Sequence, residues 1–243
     1  MTTIFNVDNR VIHINFSEKS KHTYAVLSID IGVLHLGISI SILDIEYKLI
    51  DIIWIDLIDI TKFIHNKPET RKTCKLNHTK TFTDWLEHVF YNNRELFDLA
   101  DYILIERQPP CGFVVVEQLI FSKWRHKSIL ISPNSMHAYF KIGHLDYEGR
   151  KDFNNKLILN ILSESLKHQL DNYDRIHDIS DSICLMLFWI NRKQIEYCKK
   201  LRKKMILERR YKIINDTTIS TSDWLDLHKY IPRVIDYSNN KIY

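Results

Sequence analysis

After a polar N-terminal stretch, residues 24–60 of the chain show the patterns of β-strands. Residues 24–31 (YAVLSIDI) are rich in apolar and β-branched side chains, as expected of a buried strand, and Gly32 marks a turn after them. Residues 37–43 alternate apolar and polar positions, and residues 47–60 continue a strand-like pattern with a break expected near Asp56. Three successive strands of this kind predict an antiparallel meander.

Helical and strand-like patterns alternate in the next part of the chain. Residues 61–81 are basic, contain few apolar side chains and predict an exposed loop. A helix should follow, with Thr83 as its N-cap. Residues 102–105 predict a short buried strand ending at Glu106, and residues 115–120 carry an apolar stripe at helical spacing.

One strand and two helices complete the predicted order. Residues 128–131 favour a strand closed by Ser132 and Pro133. Helices are expected over residues 152–166 and from about residue 178 to residue 192, where the second can continue into the segment that follows. The order β-β-β-α-β-α-β-α-α predicts an α/β fold, with a mixed sheet flanked by helices.

Composition indicates one sizeable core. The 243 residues are 45% hydrophobic with no Gly/Ser linker, so we expect one domain over residues 24–190, between an N-terminal extension (1–23) and a C-terminal extension (191–243). The four cysteines form no C-x-x-C pair and the N-terminus lacks a secretory apolar run, which favours an intracellular setting. The longest apolar stretch, residues 183–190, is too short to cross a membrane.

Charge is concentrated near the C-terminus. The formal net charge is only +4, but residues 191–214 contain ten Lys or Arg side chains against two acids, an excess of +8. Such a segment can bind nucleic-acid phosphates, and a solvated helix face explains the run equally well.

Four carboxylates stand at the ends of separate predicted elements. Asp30 ends the first strand, Glu106 ends the fourth, and Asp178 and Asp181 open a late helix three residues apart. Acids at strand ends and on one helix face can converge, and a cluster of ionised carboxylates needs a cation. Oxygen ligands without His or Cys select Mg²⁺ or Mn²⁺. The alternatives are an N-cap role for Asp178 and a helix-dipole role for Asp181.

The chain resembles the RuvC-type Holliday junction resolvases of the RNase H-like superfamily in three motifs, SIDIGVLHLGISI, ILIERQPP and HDISD. The resemblance is most specific to the resolvases of poxviruses and related nucleocytoplasmic large DNA viruses. It is carried there by residues 106–121 (ERQPPCGFVVVEQLIF) and 131–137 (ISPNSMH). It spans about residues 24–190.

This resemblance implies an RNase H-like five-stranded sheet and a metal-dependent endonuclease. Such an enzyme acts as a homodimer that cuts four-way DNA junctions, here at sites of viral DNA recombination or replication in a host cell. The ligands of Mg²⁺ or Mn²⁺ would be Asp30, Glu106, Asp178 and Asp181. The family also has a basic residue near the scissile phosphate, and Lys151 and Lys156 are equal candidates for it. The alternative is that either lysine is simply a solvated helix residue.

Other features have competing explanations. Cys74 and His78, with His65 upstream, suggest zinc, but their spacing matches no common site and a basic surface loop explains them better. Phe113 either wedges into an open junction or packs in the core. The dimer contact would use the helix over residues 113–121 or the apolar face of residues 185–189, for which core burial is the alternative.

Three other functions fit parts of the sequence. A nuclease of the same fold that cuts RNA–DNA hybrids or flaps would need the same acids. An actin-like ATPase would share the hairpin beginning D-x-G, but five glycines leave no room for its further phosphate loops. A non-catalytic DNA-binding protein would use the basic segment and keep the acids for folding.

Overall fold

The computed structural model describes residues 2–7, 10–15, 23–65, 74–215, 235–236 and 241–242, with side chains over residues 23–62 and 74–208. Its strands are β1 (Thr2–Val7), β2 (Arg10–Asn15), β3 (Thr23–Ile31), β4 (His35–Asp44), β5 (Leu49–Asp59), β6 (Tyr102–Glu106), β7 (Ser128–Ile131), β8 (Ile235–Asp236) and β9 (Lys241–Ile242). Five of them form a mixed sheet in the order β5-β4-β3-β6-β7. The predicted antiparallel meander and the mixed sheet are therefore confirmed.

The helices flank this sheet. They are α1 (Phe82–Asn92), α2 (Arg94–Leu99), α3 (Val114–Lys123), α4 (Pro133–Phe140), α5 (Tyr147–Leu159), α6 (Glu164–Leu170) and α7 (Ile176–Asn215), with a 3-10 helix at Ile60–His65. None of the helices in the described ranges is long and apolar enough to span a membrane.

Each face of the sheet packs against its own set of helices. Leu27 and Ile29 of β3 belong to a core shared with α1, α2 and α3. Val26 belongs to a second core with α4 to α7, and Ser28 donates a hydrogen bond of 2.6 Å to the carbonyl of Ser182 in α7. Because side chains alternate along a strand, Asp30 faces α7 as Val26 and Ser28 do.

The predicted strand break near Asp56 is wrong. Asp56 pairs with Ile38 inside a continuous β5, and the register shifts lie further back, opposite Ile40/Ser41 and Ile42/Leu43. The buried carboxylate is tolerated there because Tyr173 donates a hydrogen bond of 2.8 Å to it.

Several helix boundaries also differ from the prediction. The first helix is capped by Thr81 instead of Thr83. The helix expected over residues 152–166 is two helices, because α5 ends at Leu159 and Ser163 caps the next one. The short helix α4 and the hairpin of β1 and β2 were not predicted.

The last long helix starts earlier and runs further than expected. It begins at Ile176, so Asp178 lies in its first turn and is not its N-cap. It continues without interruption to Asn215, so residues 190 and 191, where we divided the domains, lie inside one helix.

Candidate functional site

Two of the predicted acids meet at the ends of neighbouring parallel strands. Ile29 of β3 pairs with Ile105 of β6, which places Asp30 and Glu106 side by side at the same sheet edge. Their carboxyl groups are hydrogen-bonded to each other, and Asp30 is only 7% exposed. Apolar runs before both acids bury the strands and so fix the two carboxyl groups rigidly.

The other two acids come from the start of α7, which touches the sheet directly. Gly37 pairs with Asp30 across β3 and β4, and a Cβ atom added to Gly37 would lie 2.1 Å from the carbonyl oxygen of Asp178. Only glycine permits this approach. Small serines continue the contact, since Ser182 donates a hydrogen bond of 3.1 Å to Ser39.

The four acids form one electrostatic unit. Burial raises the pKa of Asp30 well above its ordinary value, and the charges of the other three acids raise it further. Burial also raises the pKa of Glu106 to about 7 and that of Asp181 to about 6. Two adjoining carboxyl groups must hold a proton unless a cation neutralises them, so this cluster is one that a divalent ion would stabilise.

Neighbouring side chains orient three of these acids. The Gln108 amide donates a hydrogen bond of 2.7 Å to Glu106, and the Asn154 amide donates one of 2.6 Å to Asp181. Arg175 binds both oxygens of Asp178, at 2.8 and 3.3 Å. His177 lies 3.0 Å from the same carboxylate.

The residues fit a hard cation. Carboxylates from two strands and one helix offer only oxygen ligands, the donor set of Mg²⁺ or Mn²⁺. Within the described residues, no three of the acids bring oxygen atoms within 4.8 Å of one another. Joint binding of a cation by three of these acids would therefore require inward movement of their side chains.

The two candidate lysines lie on different faces of α5. Lys151 acts electrostatically on Asp181, lowering the pKa of that carboxyl, and its ammonium group lies 3.8 Å from the centre of the Tyr147 ring. Lys156 instead pairs at 2.7 Å with Asp152, and its side chain is 73% exposed. Lys151 is therefore near enough to act electrostatically on the acid cluster, whereas Lys156 is paired with Asp152.

Two features weighed from the sequence are part of the core. Residues 185–189 are all less than 8% exposed within the single chain, so burial accounts for that apolar face. Phe113 is partly buried and its ring packs edge-on at 6.0 Å from that of Phe82.

Solved structures share this architecture. The crystal structure of a fowlpox virus resolvase with its substrate Holliday junction DNA matches with a TM-score of 0.51 and 17% identity, over 69% of this chain and 97% of that one. The yeast mitochondrial Holliday junction resolvase Ydc2 matches with a TM-score of 0.52 and 18% identity, over 74% of this chain and 85% of its own. The chain has the RNase H-like fold of these resolvases. No family model and no curated protein sequence matches it.

The fold inferred from the three motifs is thus confirmed, while the roles of individual site residues stay predictions. Sequence reasoning missed the residues that orient the acids, Gln108, Asn154 and Arg175, and the close approach at Gly37. Gln108 had a usable signal, since it follows Glu106 by two residues in a strand-end motif. Asn154 had none, because its partner lies 27 positions away.

Proposed function

We propose that this protein is a divalent-metal-dependent endonuclease that cuts branched DNA, with the four-way junction as its preferred substrate. The convergence of four acids from β3, β6 and α7 at one edge of the sheet carries the proposal. The fold supports it, because the two neighbours above are named as Holliday junction resolvases.

Asp30, Glu106, Asp178 and Asp181 would hold one or two Mg²⁺ or Mn²⁺ ions, which activate water and stabilise the leaving oxygen in phosphodiester hydrolysis. Asp30 is central, since it is the most buried acid of the strand pair and feels the charge of all three others. Gln108 and Asn154 hold their carboxylates in fixed orientations, as polar groups behind metal ligands do.

Cations beside the acids suit an anionic substrate. Arg150 and Lys151 both act electrostatically on Asp181, and Arg175 covers Asp178. We propose that Arg175 releases Asp178 when the ion binds and turns to a DNA phosphate, while Lys151 stabilises charge at the scissile phosphate. The exposed basic residues of α7 after Cys198 would contact a more distant part of the DNA.

We further propose a homodimer, because a two-fold enzyme matches the symmetry of a four-way junction. Its contact would lie on the outer face of α3, where Val115 is 57% exposed beside the exposed Gln118. Sedimentation of the wild-type chain and of Val115→Glu tests this. A dimer that the substitution dissociates supports the contact, and a wild-type monomer at micromolar concentration contradicts it.

The decisive assay compares a labelled immobile four-way junction with matched duplex, flap and RNA–DNA hybrid, in Mg²⁺, Mn²⁺ or EDTA. We expect paired symmetric nicks on the junction that EDTA abolishes. Asp30→Asn should keep junction binding and lose cleavage, because the amide keeps the shape of the carboxyl but not its charge. Lys156→Ala serves as the folded, active control.

Other outcomes would replace the proposal. Preferential cutting of the hybrid or flap would keep the fold and change the substrate. Binding without cleavage in either metal would favour a non-catalytic DNA-binding protein. Cleavage by Asp30→Asn at the wild-type rate would remove Asp30 from the site.

A further inference from the structure

A second group of metal-ligating side chains lies away from the carboxylate cluster. Cys74 and His78 precede α1, and His88 lies inside it. One potential ligand atom from each residue lies within 4.8 Å of the other two. The sequence alone favoured a basic surface loop here, because the spacing of Cys74, His78 and His65 matches no common zinc site, and it gave no sign that His88 joins them.

The distances suit a tetrahedral ion. Sγ of Cys74 lies 3.7 Å from Nε2 of His88. Ligand bonds of about 2.3 Å to sulfur and 2.0 Å to nitrogen, at a tetrahedral angle, place those two atoms roughly 3.5 Å apart. The rings of His78 and His88 have centroids 4.7 Å apart and are tilted by 51°, so they are not stacked face to face.

His88 is already oriented as a metal-binding histidine. Its Nδ1 lies 2.7 Å from the backbone carbonyl of Asp84, which fixes the proton on Nδ1 and turns the lone pair of Nε2 toward Cys74. A carbonyl behind the ring is the usual support of a ligating imidazole. The residue is 4% exposed, so this arrangement is held by the core.

His78 supplies the second observation. Both of its ring nitrogens are buried, and neither has a hydrogen-bond partner among the described residues. Burying a polar group without a partner costs about 1–3 kcal/mol, and a metal ion bound to one ring nitrogen would supply the partner that this nitrogen lacks. A simple Cys74–His88 hydrogen bond leaves His78 unexplained.

The segment that carries these ligands is fixed on α1. Thr79 hydrogen-bonds to Asp84, Thr81 caps the helix, and the indole of Trp85 donates to the Thr79 carbonyl at 3.2 Å. The histidine and cysteine are therefore presented to His88 from a defined loop.

We propose that Cys74, His78 and His88 bind a structural zinc ion that clamps this loop to α1. One thiolate and two imidazoles select a borderline-soft ion such as zinc over Mg²⁺. A water or another donor completes the tetrahedron. The site is separate in ligand chemistry from the carboxylate cluster, and the inference does not depend on the proposed nuclease function.

Metal analysis and cobalt spectroscopy test this site. Full-length protein purified with zinc and without chelator should retain one zinc ion per chain after dialysis. Replacement by Co²⁺ should give a thiolate-to-cobalt charge-transfer band in the near ultraviolet and tetrahedral bands in the visible. Cys74→Ser and His78→Asn should lose the zinc, and Cys74→Ser should lose the charge-transfer band.

Matched variants make the result specific. Cys111→Ser removes an exposed cysteine and His144→Asn an exposed histidine, so both should keep the ion. Asp30→Asn should keep it too, which excludes zinc held by the carboxylates. Absence of the cobalt–thiolate band in the wild-type protein would overturn the proposal, and this result does not depend on the folding of any variant. Retention of the zinc by Cys74→Ser would overturn it as well.

Discussion

Replacing Glu106 by Gln should stabilise the metal-free protein at alkaline pH while abolishing its activity. The Glu106 carboxyl is pressed against Asp30, and burial raises its pKa to about 7. The amide of Glu106→Gln can donate to Asp30 and still accept a hydrogen bond from Gln108. The variant therefore keeps the local geometry and removes the buried negative charge of Glu106, which is unfavourable in the folded state.

The sign and size follow from proton linkage. A carboxyl with a raised pKa in the folded state holds its proton more tightly there, so stability falls as the pH rises from about 4.5 to 7 and stays low above. A rise from 4.5 to about 7, at about 1.4 kcal/mol per pH unit, corresponds to about 3 kcal/mol. For a chain of this size, that is a gain of roughly 6–12 °C in Tm.

The assay is thermal unfolding in EDTA from about pH 5 to pH 8, on the wild-type chain and the variant. We expect the two curves to coincide near pH 5 and to separate by pH 8, with the variant more stable. Mg²⁺ should raise the Tm of the wild type at pH 8 and leave that of the variant nearly unchanged. A control is Glu117→Gln, another buried glutamate, which accepts a hydrogen bond of 2.6 Å from the Gln108 backbone and should gain no stability. Equal pH dependence of wild type and Glu106→Gln would refute the reasoning.

Three further substitutions test the geometry of the site. Gly37→Ala should lower the free energy of unfolding by about 3 kcal/mol in urea denaturation, because its Cβ meets backbone at 2.1 Å, whereas Gly143→Ala, with open space around it, should be neutral. Lys151→Ala should slow single-turnover cleavage roughly a hundredfold, and Lys156→Ala should not; equal rates would remove Lys151 from the site. Asn154→Leu removes the hydrogen bond to Asp181 that lowers the pKa of that carboxyl, so the acidic limb of the pH–rate profile should move to higher pH. An unchanged acidic limb would contradict the role of Asn154 in orienting Asp181.

The strand acids were predictable because the signal is local. Asp30 and Glu106 each follow a run of apolar residues, and an ionisable group at the end of a buried strand needs a partner. Strand ends from one parallel pair share a sheet edge, so their convergence followed from the element order alone. The element order also predicted a mixed sheet, while its five-stranded RNase H-like form was implied by the resemblance.

The helical half of the site was harder to predict from local patterns. Asp178 has the typical surroundings of an N-cap, yet α7 begins at Ile176 and places that carboxylate among the other acids. Arg175, which pairs with it, lies just before the helix and gave no periodic signal. The interruption after Leu159 was also missed, because residues 152–166 keep a helical distribution of apolar side chains across the turn.

Non-local contacts explain the remaining differences. His88 looks like one more residue of an amphipathic helix until the loop folds back and brings Cys74 to 3.7 Å from it. Gly37 alone reads as a glycine that weakens a strand, and only the packing of α7 against it shows why glycine is needed there. In both cases the role of the residue depends on a contact with an element that is distant in the sequence. Local sequence patterns do not contain that information.

The continuity of α7 constrains how the proposed nuclease would hold DNA. The helix carries two acids in its first turns, a buried middle and an exposed basic end, and it contains no Gly or Pro from Ile176 to Asn215. At 1.5 Å per residue, Asp181 and Lys199 are about 27 Å apart along the axis. Under the proposed function, phosphates bound at the basic end would lie about that far along the helix axis from the phosphate being cut. Loss of those lysines should weaken binding and its salt dependence, while the rate at saturating DNA stays unchanged.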